Sequence, residues 1–189
     1  VVDVRDGEIM FGLNMVVHKG KTIFVGDTSV HEYPTSEQMA EIAISTARVV
    51  RLFGFEPKVA FVSHSTFGQP LTSRTKHIRK AVDILKEQKV DFEFDGDMQP
   101  DVALNSEYKE LYPFSNIVGK ANVLIMPGQH SAAISYKMMK TLGDTKVIGP
   151  LLIGLGLPIE IAPLRSSTSE LINLASVAAY SADIIDYKK

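Results

Sequence analysis

The chain of 189 residues predicts an α/β fold, three layers deep, with helices on both faces of a largely parallel sheet. Three observations carry that expectation. Short apolar, buried-type strands alternate with amphipathic helical segments from residue 22 onward. Two helix-start signatures stand at Thr35/Gln38 and Ser167/Glu170, where side chains three residues apart satisfy each other's free backbone N–H groups. The longest uncharged run, Val147 to Ile159, is broken by Gly149, Pro150, Gly154, Gly156 and Pro158. It therefore reads as an interrupted strand, not as a membrane span, which needs roughly 20 apolar residues.

The elements follow in order. Val1 to Lys19 mixes apolar and charged residues, and its pattern is open between an extended segment and a short helix. Gly20-Lys21 reads as a turn before a strand at Thr22–Val25, which stops at Gly26-Asp27. After the Thr35 cap, Met39, Ile42, Ala43, Thr46, Val49, Val50 and Phe53 recur at helical spacing, and Gly54 stands where a left-handed C-terminal cap belongs. A strand at Lys58–Ser63 leads into the polar loop Ser63–Gly68. The next helix, Thr72 to Gln88, carries Ile78, Ala81, Val82 and Leu85 on one face. Asp91–Phe94 is predicted as a strand ending in an acidic loop, Asp95–Asp101, followed by a short helix to about Leu111. Asn122–Met126 is a strand, and His130–Leu142 is a helix closed by Gly143. The final helix, after Ser167, is expected to bury Leu171, Ile172, Ala175, Ala178, Ala179 and Ala182. In parallel sheets ligands bind outside the carboxyl ends of the strands. The loops Ser63–Gly68, Asp95–Asp101 and Pro127–Ser131 and the turn Pro163–Ser167 are thus expected to converge there.

Composition narrows the function classes. Hydrophobic residues make up 45% and charged residues 22%, enough for a core and ordinary for a globular chain. The formal charge of −2, with signs mixed along the chain, supplies no field for nucleic acid or an acidic membrane, so neither is expected as a partner. The lack of cysteine excludes disulfides, thiolate catalysis and cysteine zinc sites, and fits a cytoplasmic location. The acidic and basic residues Asp3, Arg5, Asp6 and Glu8 are unlike a signal peptide, and the initial Val leads to the expectation of a processed or excised fragment.

Several motifs fail on spacing. An EF-hand loop opening at Asp95 would need Gly and Glu where Pro100 and Ser106 stand. Gly119-Lys120 precedes a strand and lacks the Ser or Thr of a P-loop. Gly154-Leu-Gly156 is followed by Pro158 where a dinucleotide-binding helix would begin. The five histidines show no metal-ligand spacing, so no metal site is expected. Ser63-His64-Ser65 reads as a hydrogen-bonding loop in preference to a Ser–His nucleophile. Arg74, Lys76, Arg79 and Lys80 crowd the first turns of a helix, against the macrodipole, and leave two readings: a solvated face or an anion site. Lys137, inside a helix that starts in a small polar loop, is either solvated or placed to hold an anion.

Pro34–Ala43, Val59–Gly68, Asp95–Gln99, Lys120–Ile125 and Ile148–Leu152 together resemble the phosphotransacetylase family. The resemblance implies an isocitrate/isopropylmalate dehydrogenase-like fold, with residues 1–189 forming the second half of a family domain. Val30-His-Glu-Tyr-Pro-Thr, Ser65-Thr-Phe-Gly, Leu111-Tyr-Pro-Phe, His130-Ser-Ala-Ala-Ile-Ser and Gly149–Leu155 are similar to one branch, the C-terminal phosphotransacetylase-like domain of bacterial multidomain NADP-dependent malic enzymes. That branch implies a longer chain that decarboxylates malate oxidatively to pyruvate in an N-terminal domain, where NADP and a divalent metal (Mg or Mn) would bind. No cofactor is implied here; acetyl-CoA as an allosteric effector and a homo-oligomer are. Family catalysis uses a Ser-Arg pair before the last capped helix and an Asp at its start. Those positions hold Pro163, Leu164 and Glu170, while the family's helix lysine is kept as Lys137. No catalytic residue is therefore expected. The ligand-binding set implied is Ser65, Thr66, His130, Ser131, Lys137, Arg165 and Glu170. The alternative is an active phosphate acetyltransferase, converting acetyl-CoA and phosphate to acetyl phosphate and CoA.

Overall fold

The computed structural model describes residues 2–184. The undecided N-terminal segment is a strand, β1 (Phe11–His18), hairpinned to β2 (Lys21–Gly26). Lys19 and Gly20 both take positive φ, at 47° and 74°. That is the two-residue turn whose twist matches an antiparallel ribbon. Helix α1 (Ser36–Leu52) follows, then β3 (Lys58–Val62), α2 (Ser73–Gln88), β4 (Glu93–Met98), α3 (Pro100–Leu104) and a 3₁₀ turn at Ser106–Glu110. β5 (Val123–Ile125), α4 (Gln129–Leu142), β6 (Thr145–Ile153), β7 (Ile159–Glu160) and α5 (Thr168–Ile184) complete the order.

One seven-stranded sheet runs β4-β3-β5-β2-β1-β6-β7. β4, β3, β5 and β2 are mutually parallel. β1 runs against both β2 and β6, and β7 against β6, so the parallel core carries an antiparallel flank. Side chains alternate across the sheet as the strand period requires. Val59 and Phe61 join Phe11, Phe24, Ile42, Ile78 and Leu85 beneath α1 and α2. Ala60 and Val62 join Val16, Val25, Met98, Leu124 and Ala132 on the α3 and α4 face. Two cores on one sheet are the three layers expected.

The first capping box is formed: Thr35 Oγ1 accepts from the Gln38 N–H at 3.2 Å, and Gln38 Oε1 accepts from the Thr35 N–H at 2.8 Å. α1 ends with Gly54 at φ 82°, its N–H on the Arg51 carbonyl while the Phe55 N–H reaches the Val50 carbonyl. This is the doubly bonded left-handed termination that a glycine permits.

Two expectations are corrected. The strand predicted to stop at Phe94 continues through Asp95–Met98, pairing with β3 as far as Val62↔Met98. It is not a loop because Gly96 lies flat on Phe61, where any Cβ would sit 2.8 Å from the Phe61 carbonyl oxygen. The final helix does not bury its predicted face. Leu174 is buried and Ala178 half-buried, but Leu171, Ile172, Ala175, Ala179 and Ala182 are exposed. α5 packs mainly on the outer strands β6 and β7, tied besides to Lys140 of α4 through Glu170 and to the Leu52 carbonyl through the Tyr180 hydroxyl, so the sheet covers one narrow stripe of it. No described helix is long and apolar enough to cross a membrane.

Candidate functional site: the cleft between α4, β6 and α5

β6 is bulged. Leu13 faces Leu151 and Met15 faces Ile148, so Gly149 and Pro150 together stand opposite Asn14. Extra residues of this kind bend a strand and re-aim its neighbours, and they accommodate a proline that has no N–H to give. β7 pairs with β6 only at Leu151 and Leu152, with one further bond from the Ile161 N–H to the Pro150 carbonyl. Below the bulge the outer edge of β6 lacks a strand partner among the described residues. A cavity of about 320 Å³ opens there, walled by Tyr136 and Lys140 of α4, Lys146 and Gly149 of β6, and Pro163, Ser166, Ser167, Glu170 and Asn173 around the start of α5.

The second capping box forms one rim. Glu170 Oε2 accepts from the Ser167 N–H at 2.8 Å and the Ser167 hydroxyl at 2.9 Å, and the Glu170 N–H returns to Ser167 Oγ at 3.3 Å. Glu170 Oε1 accepts from Lys140 Nζ at 2.6 Å, tying α4 to α5. The Lys140 ammonium first, and the Ser167 donors after it, hold this carboxyl at about 2, well below the usual carboxylate range. Ser166 Oγ donates to the Pro163 carbonyl at 2.7 Å and tightens the turn before the helix. On β7, Glu160 has the opposite environment. Its Oε2 is buried without a partner, and burial pushes its pKa up to about 8.

The wall offers ammonium, hydroxyl and amide donors, which suit an anion. Tyr136 and Lys140 face the cavity together because residues four apart share one side of a helix. Lys137, the expected ligand, lies on another side of α4, exposed and off the cavity wall. Arg165 and Leu164 stand at the exposed tip of the turn, Leu164 fully in solvent. Lys140, Lys146 and Asn173 line the cleft and are not among the residues expected from the sequence. The i, i+4 relation of Lys140 to Tyr136 was the available signal.

The remaining expected residues lie elsewhere. Ser65 is wholly buried with its hydroxyl unpartnered, and Thr66 Oγ1 accepts from the Gln99 N–H at 3.2 Å, both after β3. β3 is four strand positions from β6, about 19 Å at the usual spacing of roughly 4.8 Å. His130 stands 3.3 Å from Glu32, and Ser131 Oγ donates to the Gly128 carbonyl at 2.8 Å, at the start of α4. Of the seven, only Glu170 lines the cleft. The four loops associate in groups. Ser63–Gly68 is bonded to the end of β4 through the Ser63 N–H on Met98 O and the Phe67 N–H on Asp97 O. The loop after β5 joins the one after β2 through the Gln129 N–H on His31 O. That β2 loop is organised by buried Asp27, read from sequence only as a strand stop. Its carboxylate accepts from the N–H groups of Gly12, Ser29, Val30 and His31 and sits 2.7 Å from His31 Nδ1. Among the described residues no cluster of three His, Asp or Glu is placed to hold a metal.

A parallel core with a bulged, antiparallel flank and a cleft at its edge makes this an α/β domain. The chain belongs to the phosphate acetyl/butaryl transferase family, which it matches over residues 1–179. It superposes on a phosphotransacetylase from Streptococcus pyogenes with a TM-score of 0.89 and 29% identity, covering 96% of this chain and 56% of that one. EutD phosphotransacetylase from Staphylococcus aureus gives a TM-score of 0.85 at 27% identity, covering 94% and 56%. By sequence it is 46% identical to the NADP-dependent malic enzyme of Rhizobium meliloti (strain 1021) over 96% of this chain. It is 35% identical to the phosphate acetyltransferase of Clostridium acetobutylicum over 85%. The chain spans 24% of the length of that malic enzyme and 49% of that acetyltransferase.

Proposed function

We propose that this chain is the C-terminal part of a phosphotransacetylase-like domain in a longer cytoplasmic protein, an NADP-dependent malic enzyme, and that it binds acetyl-CoA as an allosteric effector. The observation that carries this reading is the turn before α5. Pro163 and Leu164 stand where the family resemblance implies a Ser-Arg pair, with Pro163 on the cleft wall and Leu164 in solvent. Neither side chain can donate a hydrogen bond to a leaving thiolate or hold a phosphate. Losing one such stabiliser costs about 100- to 1,000-fold in rate. The cleft keeps cations for binding in Lys146 and in Lys140, which is paired with Glu170, while its Ser166 and Ser167 hydroxyls are engaged by the Pro163 carbonyl and by the Glu170 carboxylate of the helix cap.

Self-assembly is part of the same proposal. Exposed Ile134, Met138 and Leu142 of α4 and Leu171 and Ile172 of α5 present apolar surface of the kind that a second copy covers. Calorimetry of the full-length protein with acetyl-CoA, alongside its malate oxidation, tests the reading. Saturable binding with inhibition supports it, and absence of both overturns it. The second reading is an active phosphate acetyltransferase. It is favoured by the ionised Glu170, a carboxylate kept at the family's Asp position. Thioester loss from acetyl-CoA on adding phosphate, at the rate of a dedicated transferase, would replace the first reading with the second.

A further inference from the structure

The basic run that opens α2 comes apart in three dimensions. Lys80 Nζ pairs with Glu37 at 2.6 Å, and the Arg74 guanidinium lies 5.0 Å from the centre of the Tyr33 ring. Arg79 has no hydrogen bond or ion pair among the described residues, and it stands on the wall of a second cavity, also about 320 Å³. Its guanidinium passes over Gly68 so closely that a Cβ there would sit 2.7 Å from Nη1. Lys86, two turns further along the same side of α2, lines the same cavity together with Asp83, which stands 3.3 Å from its ammonium.

The opposite wall is aromatic. Phe67 and Phe114 meet edge to face at 4.8 Å, and Phe114 is 64% exposed. Phe67 takes a φ of 50°, which a bulky side chain rarely adopts and which is most often kept where a site requires it. At the floor, the Asp95 carboxylate accepts from the N–H groups of Gly96 and Asn116, so its charge is largely met by backbone donors. This cavity abuts β4, at the other end of the sheet from the cleft. Five strand positions separate β4 from β6, about 24 Å.

From this geometry we infer that the α2–β4 cavity is a binding site for an organic phosphate carrying a flat heteroaromatic ring, of the size of a nucleoside monophosphate. Arg79 and Lys86 take the phosphate by charge-assisted hydrogen bonds. Phe114 offers an open ring face for stacking, and Asp95 with Asn116 meets the amino edge of the ring. The volume lies at the lower end of the range for small-ligand pockets, about 300–1,000 Å³. The site is independent of the acetyl-CoA reading, because it shares no lining residue with the cleft.

Calorimetry of the full chain with adenosine monophosphate tests it. The wild type binds, while adenosine alone and inorganic phosphate alone each bind more weakly. Arg79→Ala weakens binding about 10- to 100-fold, and Phe114→Ala about 5- to 100-fold. Lys140→Ala in the cleft leaves it unchanged. Amide shifts on the unaltered protein fall on Gly68, Gly96 and Asn116 and spare Ser167 and Glu170, which keeps the test informative if a variant unfolds. No binding at millimolar nucleotide overturns the inference. So do unchanged affinity in both α2–β4 variants, phosphate binding as tightly as the nucleotide, and shifts that map to the cleft.

Discussion

α1 and α5 are both 17-residue helices, and each is opened by a formed capping box. Their surroundings differ. α1 lies across the sheet, packed on β2, β3 and β5 and against α2, and Met39, Ile42, Ala43 and Val50 are fully buried. α5 rests on the outer pair β6 and β7 and buries Leu174 while Leu171 and Ile172 face solvent. The same local signals thus yield one helix that belongs to the core and one that offers a surface. A helix start is marked within a turn of chain by its cap; burial is decided by what the rest of the fold places opposite. The region that failed to close is also the region with the cleft, the bulge and Glu160, whose Oε2 is buried without a partner.

The largest effect that separates the regions is expected from truncation. Phe61→Ala beneath α1 and α2 should cost about 3–5 kcal/mol, because a fully buried ring leaves a cavity behind. Ile172→Ala on α5 should stay within about 0.5 kcal/mol for the isolated chain. Urea melts of both variants check this. A large Ile172 cost that grows with protein concentration would mean that a second copy covers α5, and the contrast would then belong to the assembly.

A smaller difference is expected between the caps. Thr35→Ala should cost about 1 kcal/mol, because losing the cap loosens a helix on which the core is built. Ser167→Ala should fall near 0.5 kcal/mol, at the low end for caps, since Lys140 still holds Glu170 and the helix beyond carries little packing. Equal losses in thermal melts would show that α5 is coupled to the core more tightly than its burial implies.

A further contrast concerns pH, and its sign differs for the two glutamates at the flank. Glu170 is depressed to about 2 in the fold, so its contribution is present above the unfolded carboxylate pKa of about 4.5 and is lost as pH falls toward 2. Glu160 is raised to about 8, so its contribution is complete below about 4.5 and declines as pH rises to about 8. Glu160→Gln should flatten the melting temperature between pH 5 and 8 and leave the acid limb unchanged. A slope that survives the substitution would rule out burial of this carboxyl as its cause.

Much of the fold was legible in the chain. Thr35 with Gln38 and Ser167 with Glu170 name their helix starts, and Gly54 names a helix end, because each signal acts through hydrogen bonds only a few residues long. Ile78, Ala81, Val82 and Leu85 lie on the buried face that their spacing predicts. The phosphotransacetylase motifs led to the right family, whose fold the solved relatives share. The site was less legible. Lys137 was expected because the resemblance points to it, and the cavity wall holds Lys140, three residues on and in line with Tyr136. The predicted strand ended at Phe94, before the run Asp95–Asp101, while in the fold Gly96 admits Phe61 and the strand continues.

By itself the sequence determined the order and type of most elements and which side of each inner helix is apolar, since these rest on short-range sterics, capping and periodicity. The pairing of β1 with β6, the bulge at Gly149-Pro150, the meeting of Lys140 with Glu170 and the isolation of Arg79 were decided only by tertiary structure. Each depends on groups 30 or more residues apart, or on a neighbour's failure to arrive, and no local pattern records what the sheet brings alongside.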